Sequence, residues 1–540
     1  MTTGSRTVRD ATLEMLRGLD LTTIFANPGS TEVGFLTDLP EDLDFVLALH
    51  EGSVVGMATG WAIARRRPAL VQLHTTAGLG NAVGALATAR VNRAPLVVLV
   101  GQQDRRHLAQ EPFLAGRLEG LAGDYPVWVK QPERAQDVPA AIARAHHEAS
   151  THGGPALVIV PMDDWHQPAG DPAVHAAPRR VLRPAPAPAA LDPALEEVAA
   201  LVDGARSPAL VAGAANDDEE GWAALVALAE RLGCPVWQES FGARAGFPQD
   251  HALFAGHLPA DRPRLRALLA PHDVVVAVGA PVFRQYQYHP GPLVEPATRT
   301  VVVSADAGEI GHSPADVAVH TPVAPFVAAL AERVRRRPGS DEPRREVARP
   351  LPPEPGRPLA PGHVFAALAE RAAADTIFVE ETPSSRPEMH ALLPARRPLG
   401  FLSAAMGGLG FALPAATGAR MADPRRPVVA VVGDGSAMYQ VQALWSAARY
   451  GAGVLFVVLS NGRYAIMDRL AEGQGGKPPW PAFDEVSVAE VARGLGCPAR
   501  RITSYDDLIT VLDEVVPTLT ERTEPLVLDV EVTVGTTFAP

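Results

Sequence analysis

One stretch of this chain has residue types and spacing suited to chemistry on a phosphate. In VVAVVGDGSAMYQ, residues 428–440, an apolar run leads into Gly433, Asp434, Gly435 and Ser436 and then into the helical pattern YQVQALWSAARY. Glycines let the backbone approach a ligand closely, and a helix start offers N–H groups to a phosphate. An aspartate in such a cradle repels the phosphate unless a cation lies between them. A magnesium-type ion does this, because hard divalent cations take carboxylate, amide and carbonyl oxygens together with phosphate. The run GVLFVVLSNGRY supplies a further oxygen at Asn461, 27 residues beyond Asp434. Taken singly, DGS reads as a tight turn and Asn461-Gly462 as a hairpin turn. Taken together, strand, GDGS, strand, Asn-Gly and Tyr464 in succession are far more specific. The chain has no Walker lysine pattern, and GLGNAVG lacks dinucleotide spacing, so nucleoside triphosphates and NAD fit poorly.

Three further residues stand at strand ends or helix starts. Glu51 follows the apolar run DFVLALH and opens EGSVVGMATGWAIARR, where an acid is ordinarily explained by the helix dipole. Ser30 in NPGS reads as a helix cap, and His74 in LHTT as a hydrogen-bonded strand end. His50 reads as a structural neighbour of Glu51, and Leu409 in GGLGF as a core leucine.

The elements that must position these residues are short β-branched runs alternating with helical-period segments, for example TTIFANPGS, DFVLALHEGSVVGMATG, ALVQLHTTAGLG and PLVVLVGQQ. Buried strands without polar alternation, separated by helices, indicate parallel sheets covered on both faces. The pattern recurs in SPALVAGA, CPVWQES, DVVVAVGAP and TRTVVVSAD, and again in TIFVEE, RPVVAVVGDGS, GVLFVVLSNG and EPLVLDVEV. Two proline-rich, charged stretches, Gln167 to Pro193 and Arg333 to Gly362, read as linkers between the blocks. The expectation is an α/β protein of three doubly wound parallel-sheet domains, at 1–175, 190–336 and 358–540, with ligands at the carboxyl ends of strands. Residues 77–90 (AGLGNAVGALATAR) and 407–420 (GGLGFALPAATGAR) agree at seven of fourteen positions, which indicates a duplicated first and third domain.

Composition narrows the function. Lys plus Arg number 48 against 61 Asp plus Glu, a formal charge of −13, so nucleic acid and anionic membranes are not expected partners. Cys234 and Cys497 are too few for a disulfide framework or a cysteine metal cluster, and no apolar run approaches a membrane span. A cytoplasmic enzyme acting on a small molecule is the expectation.

The GDG plus Asn pattern resembles the diphosphate-binding motif of thiamine diphosphate enzymes. The likeness extends along FANPGSTE, LALHEGSVVGMATG, QLHTTAGLGNAVGAL, PLVVLVGQQ, GAPVFR, GGLGFALPAATG and GDGSAMY to the 2-oxo acid decarboxylases of the benzoylformate decarboxylase type. That resemblance implies pyrimidine-binding, middle and diphosphate-binding domains, with thiamine diphosphate and Mg²⁺ as cofactors. It implies Asp434, Asn461 and the main-chain carbonyl of Arg463 as metal ligands, with Gly433, Gly435, Ser436, Tyr464 and Ser384 near the diphosphate. Where many relatives have two asparagines, this chain has Ser460-Asn461. Leu409 would support the bent cofactor. Glu51 would face N1′ of the aminopyrimidine, Ser30 would contact the substrate carboxylate and His74 would relay protons.

The likeness also has departures. The position of the family's second active-site histidine holds Tyr286, with His289 three residues later, and Tyr286 cannot shuttle protons near neutral pH at an ordinary phenol pKa of about 10. Ser403 matches an aromatic pocket residue, Ile466 a smaller one, and Leu470 another ring; Phe113 and Leu114 could add apolar lining. The expected reaction is non-oxidative decarboxylation of a 2-oxo acid to an aldehyde and CO₂, in a homodimer or homotetramer with active sites between subunits. The alternatives are a carboligase or 2-hydroxyacyl lyase of acetolactate synthase type, and a non-catalytic homologue.

Overall fold

Among the described residues the apolar runs form eighteen short strands, the central ones of each sheet buried along their whole length as the inside of a covered sheet. The computed structural model describes residues 6–171, 188–337, 349–354 and 356–535. The first sheet contains β1 (Thr23–Asn27), β2 (Asp44–Leu47), β3 (Ala69–Leu73), β4 (Leu96–Gln102), β5 (Trp128–Lys130) and β6 (Pro155–Pro161), in the order β2-β1-β3-β4-β6-β5. The middle sheet contains β7 (Pro208–Ala212), β8 (Val236–Gln238), β9 (Phe254–His257), β10 (Val274–Val278), β11 (Arg299–Ser304) and β12 (Val317–His320), ordered β12-β11-β10-β7-β8-β9. The third contains β13 (Ile377–Glu381), β14 (Phe401–Ser403), β15 (Val428–Gly433), β16 (Leu455–Ser460), β17 (Ala499–Ile502) and β18 (Leu526–Glu531), ordered β14-β13-β15-β16-β18-β17. The ladders within all three sheets run parallel, as in β15 on β16, where Gly433 stands opposite Leu459. The expected three doubly wound sheets are therefore present.

The first and third sheets share one strand order, with β1 to β6 taking the places of β13 to β18, which supports duplication. The sequence match used to argue it nevertheless pairs the wrong helices. Residues 77–90 lie in the helix Thr75–Val91 after β3, whereas 407–420 run into the helix Ala412–Ala422 after β14. The topological counterpart of Ala412–Ala422 is Glu51–Arg65, after β2. Those two counterparts pack against each other so closely that a Cβ on Gly60 would overlap the Ala415 carbonyl, and one on Gly418 the Met57 carbonyl. Small residues were selected by that crossing and by the neighbouring helix alike, so composition imitated descent. The contact also joins the first and third sheets through one large apolar cluster that includes Met57, Trp61, Leu413 and Ala416.

Two linker expectations need correction. The helix Pro188–Gly204 begins inside the first stretch and contains Pro193. Leu191, Leu195, Val198 and Val202 form a buried stripe at helical spacing, and their burial outweighs the one backbone bond a proline forfeits. The end of the second stretch packs too: Leu359 is fully buried and bridges to Val532, and the helix Pro361–Arg371 starts before Gly362. Residues 172–187, 338–348 and 355 of these stretches lie outside the described residues. Both cysteines are buried, which pushes each thiol up to about 12 and leaves it unreactive. No helix among the described residues is long and apolar enough to cross a membrane.

Candidate active site

At the carboxyl edge of the third sheet, β15 delivers Asp434 beside the end of β16. Its Oδ1 accepts the N–H of Gly435 at 2.8 Å, and its Oδ2 accepts those of Asn461 and Gly462 at 2.8 and 2.7 Å. The Asn-Gly pair is thus no hairpin turn. It closes a parallel crossover, with Gly462 at φ +69° where its N–H can reach the carboxylate. A Cβ on Gly435 would come within 2.6 Å of the Tyr464 ring, which packs on Phe483 at 5.1 Å. The loop is therefore shaped for close approach to backbone. The helical pattern expected from Tyr439 starts later, at Ala443, because the preceding turn aims Gln440 at the first domain.

Burial pushes the Asp434 carboxyl above the usual carboxylate range, while its three backbone donors pull it down. A cation at this carboxylate would relieve the desolvation cost. Among the described residues no cluster of three or more His, Cys, Asp or Glu could hold a metal. What this corner offers is one carboxylate, the Asn461 amide oxygen, which accepts the Arg463 N–H at 3.1 Å, and main-chain carbonyls such as that of Arg463. Such a donor set fits a hard cation completed by a phosphate ligand rather than a self-sufficient metal site. Ser436 is buried in the same turn, and Ser384 lies in the turn after β13.

Glu381, at the end of β13, was not singled out from sequence. Its carboxylate accepts three successive N–H groups, from Gly410 at 2.6 Å and from Phe411 and Ala412 at 2.7 Å, fixing the backbone immediately after Leu409. Leu409 itself is only partly buried, so it is not the core leucine that composition implied. Burial raises the Glu381 carboxyl to about 7, against those donors. A carboxyl with a raised folded pKa stabilises the fold fully below its unfolded value of 4.5, and that contribution is lost as pH rises through about 7. Glu381→Gln is expected to remove a stability decline of about 3 kcal/mol between pH 4.5 and 8, read as denaturant midpoints across that range. A decline of unchanged size in the variant would show that other groups cause it.

At the first sheet, Glu51 opens its helix with both carboxylate oxygens held: Asn27 Nδ2 donates to Oε1 and Asn81 Nδ2 to Oε2, each at 3.1 Å. Asn27 ends β1, and Asn81 sits in the helix after β3. Each oxygen keeps a lone pair for another partner. Ser53 Oγ donates to Gln440 Oε1 at 2.7 Å, and Tyr450 Oη accepts the Leu47 N–H at 2.7 Å, so the third domain clamps this helix start. His50 caps the helix by accepting the Gly52 N–H at its Nδ1, a structural role.

Ser30 and His74 follow the adjacent strands β1 and β3. His74 Nδ1 lies 3.0 Å from Glu32 Oε2 and 3.0 Å from Thr31 Oγ1. Glu32 is fully buried, and its Oε2 also accepts the Gly29 N–H at 2.7 Å. The carboxylate turns Nδ1 inward and fixes the ring, which leaves Nε2 as the nitrogen for exchange with a ligand. The sequence signal for Glu32 was its position three residues after Gly29, the spacing of a capping box.

The expected pocket residues lie on different elements. Phe113 is 87% exposed on the loop after β4, and Leu114 beside it has φ +66°. His289 Nδ1 faces Asp261 at 3.4 Å in the middle domain, whereas Tyr286 is 55% exposed. Ser403 is buried, donating to Glu380 Oε2 at 2.8 Å and accepting from Arg386 Nη2 at 3.1 Å. Ile466 and Leu470 lie one turn apart on the helix Ala465–Gly473, both partly buried.

Comparisons with known proteins agree with this arrangement. Residues 6–118 match the model for the N-terminal TPP binding domain of thiamine pyrophosphate enzymes, 195–330 that for the central domain, and 384–530 that for the C-terminal TPP binding domain. The chain is 41% identical to a benzoylformate decarboxylase of Pseudomonas aeruginosa, over 93% of this chain and 95% of that protein. It is 26% identical to an acetolactate synthase of Mycobacterium avium, over 95% of this chain and 85% of that protein. A solved 4-hydroxybenzoylformate decarboxylase of Rhodococcus jostii RHA1 superposes with a TM-score of 0.91 at 34% identity, covering 98% of this chain and 99% of that one.

Proposed function

The chain belongs to the thiamine pyrophosphate enzyme family, among its 2-oxo acid decarboxylases, and from that premise we propose that it converts a benzoylformate-like 2-oxo acid to an aldehyde and CO₂ with Mg²⁺ as its metal. The observation that carries this reading is that one chain holds both halves of such a site, a doubly held carboxylate at Glu51 in the first domain and a cation-ready phosphate loop at Asp434 in the third. Thiamine diphosphate supplies the carbon nucleophile and the electron sink that decarboxylation needs.

The protein's part is placement and proton traffic. Asp434, Asn461 and the Arg463 carbonyl would hold Mg²⁺ against the diphosphate. Gly433, Gly435, Ser436, Tyr464 and Ser384 would line the diphosphate, and Glu381 would set the backbone that carries Leu409 beneath the cofactor. Glu51 would hold a proton at the aminopyrimidine nitrogen, its carboxyl oriented by Asn27 and Asn81. Ser30 would meet the substrate carboxylate, and His74, fixed by Glu32, would move a proton at Nε2. Leu49, Met406, Met438 and Tyr439 expose apolar side chains on the segments that carry these half-sites. A second copy covers them in the proposed homodimer or homotetramer.

Supplying aromatic, branched and short 2-oxo acids one at a time and measuring CO₂ and aldehyde tests the reading. Release from at least one acid with thiamine diphosphate and Mg²⁺ is expected. A product that forms only after an acceptor aldehyde or second 2-oxo acid is added would instead favour the carboligase reading, which the acetolactate synthase relatives keep in view.

A further inference from the structure

We infer that Phe241 is a specificity-determining residue: with Tyr286 it builds an aromatic wall that selects 2-oxo acids carrying a flat aromatic side chain over aliphatic ones. This rests on the decarboxylase reading above and assigns a residue within it.

Phe241 lies three residues beyond β8, at the carboxyl edge of the middle sheet, and its φ of +53° puts a bulky side chain in the left-handed region. That conformation is costly for any residue but glycine, and Gly242 stands next to it. The surroundings impose the strain. Arg284, whose Nε faces Glu239 Oε2 at 3.4 Å, donates from Nη1 to the Phe241 carbonyl at 3.3 Å and to the Ala405 carbonyl at 3.5 Å. The Ser403 N–H donates to the Ala243 carbonyl at 2.9 Å. The Phe241 loop is thus bolted to the segment that leads within a few residues to Leu409, and so to the cofactor cradle.

The ring makes few packing contacts for its size. It stands apart from the buried apolar clusters of the middle sheet and is only partly buried. Its neighbours are the Tyr286 ring at 6.2 Å, inclined by 57°, and the Arg386 guanidinium, centred 5.3 Å over its face. Arg386 is neutralised by Glu380, at 3.3 Å, and engaged by Ser403. The guanidinium therefore braces the ring without presenting a free charge. Tyr286 remains more than half exposed and Arg386 covers one side of the Phe241 ring, so the inclined pair forms an uncharged aromatic corner against which a flat side chain gains more contact than a branched or short one.

Phe241→Gly separates strain from selection, because glycine relaxes the left-handed backbone while deleting the ring. The ratio of kcat/KM for benzoylformate and phenylpyruvate to that for pyruvate and 2-oxoisovalerate is expected to fall about tenfold, with Tm unchanged or raised. Phe241→Leu keeps apolar bulk in the strained backbone and is expected to lose the ratio as well. Calorimetry with non-decarboxylating mimics, mandelate against lactate, on the full-length protein with thiamine diphosphate and Mg²⁺ reads the same preference without turnover. Unchanged ratios in both variants, or an equal loss for every ligand with a fall of several degrees in Tm, would overturn the assignment and make Phe241 a packing residue. If the unmodified protein releases CO₂ from no 2-oxo acid, the decarboxylase reading falls, while the mandelate-to-lactate ratio still decides the wall.

Discussion

Asp434→Ala is expected to lose thiamine diphosphate, with affinity falling on the order of 100-fold or more and the dependence on Mg²⁺ disappearing. The carboxylate does two things that alanine cannot. It presents negative charge to a cation at a buried corner, and it gathers the N–H groups of Gly435, Asn461 and Gly462, which set the shape of the loop. Asp434→Asn distinguishes them, because an amide oxygen still accepts hydrogen bonds but carries no charge. If charge toward the metal matters most, both variants lose Mg²⁺-dependent binding while Asp434→Asn keeps a near-normal Tm. Calorimetric titration with thiamine diphosphate, with and without Mg²⁺, reads this directly. Unchanged affinity and no metal requirement in either variant would return the GDGS loop to a plain turn.

The loop itself was legible in the sequence for a physical reason. In a parallel sheet every strand ends at the same edge, so residues that close consecutive strands, such as Asp434 and Asn461, meet whatever the length between them. Ser30 and His74 follow the same rule at β1 and β3. Residues that act on these from a third direction were not legible. Asn27 and Asn81 reach Glu51 only because β1 lies between β2 and β3 and the helix after β3 turns back over that edge, a placement that no local pattern encodes. Glu381 looks like another strand residue in TIFVEE until β13 places its carboxylate at the start of the helix Ala412–Ala422. The repeat misled because close helix crossings demand glycine and alanine wherever they occur, so two unrelated helices came to look alike. Phe241 was invisible for the opposite reason, since a left-handed phenylalanine leaves no trace in residue type beside a glycine.

Glu51→Gln is expected to retain the cofactor but slow exchange of its C2 proton by about 10² to 10⁴-fold, the range that a positioned general acid or base contributes. The geometry makes the change more than a loss of one proton. Both Glu51 oxygens accept from amide N–H₂ groups, those of Asn27 and Asn81. A glutamine has one acceptor oxygen, so its own N–H₂ must face one of those donors, and the side chain is turned or pushed from its place. Glu51→Asp supplies the control, since it keeps an ionisable carboxyl but shortens the reach by one carbon; it should recover part of the exchange rate where Gln recovers none. Exchange followed by NMR in deuterated buffer separates this from a role in folding, because a first-turn acid acting only on the helix dipole affects Tm and leaves bound-cofactor exchange alone. Near-normal exchange and turnover in Glu51→Gln would assign the carboxylate to the helix and send the search for the proton-handling group back to His74 and the buried Glu32 behind it.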